Sequence, residues 1–236
     1  MAHKKIFLTA EWKDLLMLNY AVDPRLLEPF VPAGTTLDAF DGVTYLSLVG
    51  FLFNRTRILG IPVPFHQSFE EVNVRFYVRR GPKRGVVFIR ELVPRRAVAF
   101  IARFAYNEKY SYTPMSHRII AAANSVNAEY GWGSGASQCR MWIETEGASY
   151  IAGEGSISQF ITEHYWGYAA QNDGGCMEYE VQHPQWNVRN AKAAEFSGNA
   201  AAFYQSAIAE ALARKPDSAF LAEGSPVTVY KGIRIS

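Results

Sequence analysis

The clearest pattern of hydrophobic and polar positions in the chain has a period of two. Over residues 73–80, Val74, Phe76 and Val78 interleave with Arg75, Tyr77 and Arg79, which predicts a strand with two unlike faces. The turn-forming run Gly81-Pro82-Lys83-Arg84-Gly85 leads into residues 86–93, so the two segments predict a β-hairpin. Asp41-Gly42 precedes residues 43–53, which are β-branched or aromatic and apolar on both faces, as in a strand buried on both sides. Pro94 breaks the ladder, and another apolar run starts over residues 97–106. Residues 141–145 and 149–152 flank a turn at Gly147, and residues 178–183 alternate again.

Helical signals are fewer. Asp23-Pro24 reads as a cap followed by proline at the first helical position, with Leu26, Leu27 and Phe30 as a short apolar face. Residues 156–164 predict two turns, with Ile157, Phe160 and Ile161 at helical spacing. The longest predicted helix spans residues 199–214, where Phe203, Ala207 and Ala211 recur every four positions and Pro216 lies beyond the end. Residues 117–123 suit either a helix capped by Ser116 or a strand. Many strands with one good helix predict a mainly β (α+β) fold on an antiparallel sheet that curls or closes.

Composition narrows this picture. The 236 residues contain no repeat and no linker-like tract, so residues 1–236 are expected to form one domain. With 49% hydrophobic and 14% aromatic residues the chain can bury a large core, and 19% charged residues is too few for a disordered or coiled-coil protein. The N-terminal apolar stretch 6–10 is ended by Glu11, short of the roughly 7–15 residues of a secretory signal, and no run approaches the roughly 20 that cross a bilayer. Cys139 and Cys176 form neither a disulfide framework nor a zinc-spaced pair. A cytoplasmic protein without membrane partners is expected, and the Asn54-Arg55-Thr56 sequon reads as accidental.

Charge is nearly balanced, 24 basic against 22 acidic residues, but not evenly spread. Between Arg75 and Arg103 nine basic residues face one acid, Glu91. An ion-paired or solvated hairpin is the first reading, a funnel for an anionic ligand the second, and a nucleic-acid surface the last, since no recognition module accompanies it. Gly131-Trp132-Gly133-Ser134-Gly135-Ala136 fits a dinucleotide-binding pattern on paper, but strands are predicted on both sides, so turn glycines are the better reading. The five histidines show no ligand spacing, and neither metal nor cofactor is expected. Glu163-His164-Tyr165-Trp166-Gly167-Tyr168 is a cluster of polar-tipped side chains that lines a pocket or caps a core, since buried polar atoms need partners. His183-Pro184-Gln185-Trp186 reads as a bend with a structural histidine.

Several segments taken together resemble the domain-of-unknown-function 2071 family: Thr9-Ala10-Glu11-Trp12, residues 18–24 and 31–34, Glu70-Glu71-Val72-Asn73-Val74-Arg75, Arg90-Glu91-Leu92-Val93-Pro94, residues 160–165 and Ala222-Glu223-Gly224-Ser225. That family is grouped with acetoacetate decarboxylase, and the resemblance implies a closed or nearly closed, cone-like antiparallel β barrel with an interior ligand cavity. Such decarboxylases form a Schiff base on a lysine seven residues after an arginine, with two glutamates nearby. Counted from Arg103, the seventh residue is Tyr110, so the Schiff-base lysine is missing. Lys109 lies one position earlier, where an extended strand points to the opposite face. Phe69-x-Glu71 matches one of the two carboxylates, while the position of the other, near Ser47, carries no acid.

Tyrosine cannot form an imine, but beside a carboxylate base it can polarise a carbonyl oxygen. The expected function is therefore binding of a small anionic or carbonyl-bearing molecule, with proton transfer or hydration in place of decarboxylation. Glu71 and Tyr110 take the catalytic roles, and Arg103 or Arg75 clamps a carboxylate. Lys109, Ser47, Glu163, His164 and Tyr165 complete the candidate pocket. A non-catalytic binding module is the alternative, a nucleic-acid-associated protein a more distant one, and a homo-oligomer is compatible with either.

Overall fold

The computed structural model describes residues 4–62, 67–94 and 109–235. In chain order its strands are β1 (Ile6–Val22), β2 (Thr36–Leu37), β3 (Thr44–Ile58), β4 (Ile61–Pro62), β5 (Phe69–Arg80), β6 (Lys83–Val93), β7 (Tyr110–Tyr112) and β8 (Met115–Ala122). They continue as β9 (Ser125–Trp132), β10 (Cys139–Ile151), β11 (Trp166–Ala170), β12 (Cys176–Gln182), β13 (Asn187–Gly198), β14 (Ser218–Tyr230) and β15 (Ile233–Arg234). Three short helices interrupt them: α1 (Pro24–Leu27), α2 (Ile157–Thr162) and α3 (Ser206–Leu212). The mainly β expectation holds.

Seven strands form a ring in the order β12-β11-β6-β5-β3-β1-β14, with β14 returning to pair with β12. From β14 the sheet also continues outward through β13, β10, β9 and β8 as a wing. The ring is antiparallel except at β6, which pairs in parallel with β11 and, off the ring, with β7. The β6–β11 junction has only two residue pairs, Trp166↔Gly85 and Gly167↔Val86, and glycine makes it feasible. A Cβ on Gly167 would lie 2.1 Å from the Tyr179 ring, and one on Gly85 2.6 Å from the Trp166 carbonyl oxygen.

The predicted hairpin is β5–β6, but both faces of β5 are buried. Val72, Val74, Phe76 and Val78 belong to the larger core, which also takes Tyr130 and Met141 from the wing and Ile208 and Leu212 from α3. The opposite face, carrying Phe69, Glu71, Asn73 and Arg75, turns into the ring, where all seven ring strands contribute to one cavity. Of the basic residues of the hairpin, Arg80 and Lys83 pair with Glu178 and Arg84 pairs with Asp38. The ion-paired reading therefore describes the rim, whereas Arg75 is buried.

Local signals succeeded where a cap was present. Asp23 caps α1, its carboxylate accepting from the Arg25 N–H, and Ser156 caps α2. The helix expected over 199–214 is broken: a 3-10 turn at Ala200–Ala202 is followed by α3, with Gln205 extended between them. Tyr204 is buried in the larger core, and docking its ring interrupts a run that alanine would otherwise continue. Of residues 117–123, all but the last belong to β8, paired in continuous register with β9. Gly147, at φ 78°, marks an irregularity inside the single strand β10 rather than a turn between two strands. The run predicted over 97–106 lies outside the described residues.

Candidate active site

The cavity inside the ring has a volume of about 140 Å³, close to the roughly 150 Å³ void that holds a benzene and below the roughly 300 Å³ where sites for drug-sized molecules begin. α2 closes one end: Phe160 packs against Tyr77 at 5.3 Å and His164 at 5.1 Å between ring centroids.

Glu71 stands on the wall with 2% exposure. Its Oε1 accepts from Asn73 Nδ2 at 3.0 Å and its Oε2 from the Tyr110 hydroxyl at 3.0 Å. Both partners follow from register: Asn73 is two residues along the same strand, and β7 lies beside β6 with Tyr110 opposite Glu91. Burial pushes the Glu71 carboxyl up to about 7, although the two hydrogen bonds and the charge of Arg75 favour its ionised form.

Arg75 is two further residues along, also buried. Its Nη2 lies 3.9 Å from Met17 Sδ, its guanidinium 5.9 Å from the Tyr77 ring centre, and its Nε has no hydrogen-bond partner in the described protein. No carboxylate pairs with it among the described residues. A buried cation in that state is costly unless something else compensates it.

His164 reaches the cavity from the end of α2. Its Nε2 is 3.4 Å from Asp38 Oδ2, while Nδ1 is buried without a partner among the described residues. Burial lowers its pKa to about 4, against the pull of Asp38, so the ring is neutral near pH 7. Asp38 also accepts from Arg84 Nε at 2.7 Å, and its carboxyl stays below the usual range because the hydrogen bonds from His164 and Arg84 outweigh desolvation.

Glu71, Tyr110, Arg75 and His164 thus meet in one cavity. The remaining candidates do not line it. Ser47 donates to Asn19 Oδ1 at 2.6 Å and accepts from the Tyr77 hydroxyl at 2.6 Å, in a polar wall behind the site. Glu163 accepts from Gln159 and Gln185 outside α2. Tyr165 packs on the far side of His183, with 4.8 Å between ring centres. Lys109 is exposed, its Nζ 5.3 Å from the centre of the Phe30 ring, as alternation from the inward-facing Tyr110 dictates. Arg103 lies outside the described residues. None of the eight lysines in the sequence lines the cavity.

The sequence reading left Glu91 out of the candidate site and took His183 as a structural histidine in a bend. Glu91, directly across from Asn73 in the β5–β6 register, brings a second buried carboxylate to the cavity. It was visible as the one acid among nine bases, but only the register turns it inward. His183 stacks on Trp186 at 4.1 Å and 17° and also faces the cavity. Burial takes it to a pKa of about 4.

Comparison with known proteins places this architecture. The model of the DUF2071 family, described as an uncharacterized conserved protein, matches residues 9–226. The chain belongs to the DUF2071 family. A relative, the uncharacterized protein YqjF of Bacillus subtilis strain 168, is 27% identical over 184 residues, covering 77% of this chain and 75% of that one. Among solved structures, the enduracididine biosynthesis enzyme MppR complexed with pyruvate superposes with a TM-score of 0.70 at 10% identity, over 100% of this chain and 92% of that one. An acetoacetate decarboxylase-like enzyme from Sphingomonas wittichii RW1 gives 0.70 at 11% identity, over 97% and 93%. Acetoacetate decarboxylase from Legionella pneumophila gives 0.67 at 11%, over 98% and 87%. At such identities the likeness shows the fold alone: this DUF2071 chain has an acetoacetate decarboxylase-like fold. Among its described residues no helix is long and apolar enough to cross a membrane, and no group of three His, Cys, Asp or Glu is placed to hold a metal ion.

Proposed function

We propose that the cavity binds a small carboxylate that also bears a carbonyl group, and that Glu71 transfers a proton at the carbon beside that carbonyl without any imine. One observation carries the reading: a fully enclosed carboxylate, held by Asn73 and Tyr110, whose pKa of about 7 suits acid-base work at neutral pH. The uncompensated Arg75 supplies a planar cationic fork for the carboxylate. That an enzyme of the same fold has been seen complexed with pyruvate supports this chemical class.

In the proposed step the C–H bond next to the carbonyl breaks and its proton goes to Glu71. The bonding pair becomes the double bond of an enolate, whose oxygen accepts from the Tyr110 hydroxyl. Return of the proton, to the same or a neighbouring atom, completes an exchange or an isomerisation.

The test is proton magnetic resonance of 2-oxobutyrate in heavy water. The signal of the hydrogens at carbon 3 should fade faster with protein than without, and Glu71→Gln should slow this at least about 100-fold while leaving binding intact. Arg75→Met should abolish binding. Binding with no exchange above buffer would replace the enzyme reading with a non-catalytic binding module.

A further inference from the structure

The register of the ring orders the cavity wall from end to end. On β5 and β3, Arg75 lies opposite Ser47, Asn73 opposite Val49, Glu71 opposite Phe51 and Phe69 opposite Phe53, and Phe53 in turn lies opposite Trp12 of β1. Two residues of strand, roughly 7 Å, therefore separate Glu71 from a wall that is wholly aromatic. Phe53 stacks on Phe69 at 4.8 Å and 12°, and the Trp12 indole meets Phe51 at 5.4 Å and Phe53 at 5.8 Å. Farther out comes Thr56, whose N–H bonds to the Gln67 carbonyl at 3.1 Å, roughly 13 Å of strand beyond Glu71. Half-buried Leu8, Ile58 and Val229 line the same end, so a molecule longer than the void extends past them toward solvent.

Two polar atoms in this apolar half are buried with no partner among the described residues: Trp12 Nε1 and Thr56 Oγ1. The Trp186 indole, packed against Trp12, is satisfied, its Nε1 donating to Ser225 Oγ at 2.9 Å. Native proteins leave few buried polar atoms unpaired, and here a donor-only N–H and a hydroxyl lie on the lining of a cavity.

We propose that the ligand is a 2-oxo acid with an aromatic side chain whose far end carries a hydroxyl, accepting from Trp12 Nε1 and donating to Thr56 Oγ1. This rests on the preceding reading for the acid end and adds the chemistry of the rest of the molecule. The carboxylate lies toward Arg75, the carbonyl at Glu71 and Tyr110, and the ring against Phe51, Phe53 and Phe69.

Calorimetric titration with pyruvate, phenylpyruvate and 4-hydroxyphenylpyruvate tests the proposal on the unaltered protein. Phenylpyruvate should bind at least about tenfold more tightly than pyruvate, and the 4-hydroxy acid about threefold to tenfold more tightly again. Thr56→Val, which keeps the side-chain shape, should erase that last gain and leave phenylpyruvate within about twofold of its original affinity, and Trp12→Phe, which removes the N–H together with part of the ring, should bring the two aromatic acids to equal affinity whatever it does to both. Equal affinities for the two aromatic acids, or a gain that survives both substitutions, would overturn the distal contact. Pyruvate binding through Arg75 with the aromatic acids excluded would overturn this inference and leave the preceding one standing. Binding of acetophenone together with indifference to all three acids would remove both.

Discussion

Glu71 and Glu178 sit on strands of the same ring and are almost equally enclosed, 2% and 1% exposed, yet their surroundings are opposite. Glu178 on β12 receives Lys83 and Arg80 from the β5–β6 turn, the latter at 3.4 Å, and both cations reach solvent. Glu71 receives neutral donors only, and its pKa rises to about 7. One buried carboxylate closes the structure at its rim; the other is kept short of a full counter-charge where a ligand can lie. Burial alone does not mark a site. Burial combined with withheld compensation, in a wall that is otherwise apolar, does.

The largest expected effect that would break this contrast is on stability. Glu71→Gln should stabilise the protein by about 3 kcal/mol at pH 8, because the unfolded chain ionises the glutamate near its ordinary value whereas the folded chain resists ionisation until about pH 7. Glu178→Gln should destabilise it by about 2 kcal/mol through loss of charged hydrogen bonds. Urea denaturation of both variants reads the two signs, and equal signs would dissolve the distinction.

The pH dependence sharpens it. Between about 4.5 and 7 the folded state holds more protons at Glu71 than the unfolded state, so this group's contribution to stability falls as pH rises. His164 and His183, lowered from 6.5 to about 4, act the other way. Their contribution is complete above 6.5 and is lost as pH falls toward 4. The wild-type rise in stability from pH 4.5 to 6.5 should therefore be shallower than that of Glu71→Gln, and the two curves should meet at low pH.

A smaller shift is expected from Tyr110→Phe. The hydroxyl favours the ionised carboxylate, so its removal should raise the Glu71 pKa further, by an amount worth about 1 kcal/mol, visible as displacement of its carboxylate infrared band to higher pH. Lys109→Ala should have the least effect, within about 0.5 kcal/mol. Incubation with acetoacetate and borohydride should leave the mass of the intact chain unchanged, since no lysine lines the cavity. A reduced adduct on Lys109 would overturn the assignment of the two strand faces.

Strand alternation made the β5–β6 hairpin legible, but not which face is interior. Alternation is ordinarily read as apolar in and polar out, whereas here the wing and α3 cover the apolar outer face and the polar face lines the cavity. Alternation alone thus showed Arg75 as a charge, and only the family resemblance placed it in the pocket, where it is buried. The juxtaposition of His164 with Asp38, 126 residues apart in sequence, is a product of closure that no local pattern carries. The longest strand, β1, was missed because Glu11, Lys13 and Asp14 interrupt its apolar run and its pairings shift register at the same place, where Asp14 has φ 53°.

Those interruptions matter during synthesis. β3 is synthesised soon after β1, but the other edge of β1 waits for β14: Asn19 pairs with Ser218 and Ile6 with Tyr230. At roughly 5–20 residues per second, that edge stays open on the ribosome for about 10 to 40 seconds. Open strand edges recruit other chains, and charged side chains and bulges discourage such pairing. Glu11, Lys13 and Asp14, at the middle of β1, put charges on the edge that waits for β14 and so discourage its capture by another chain.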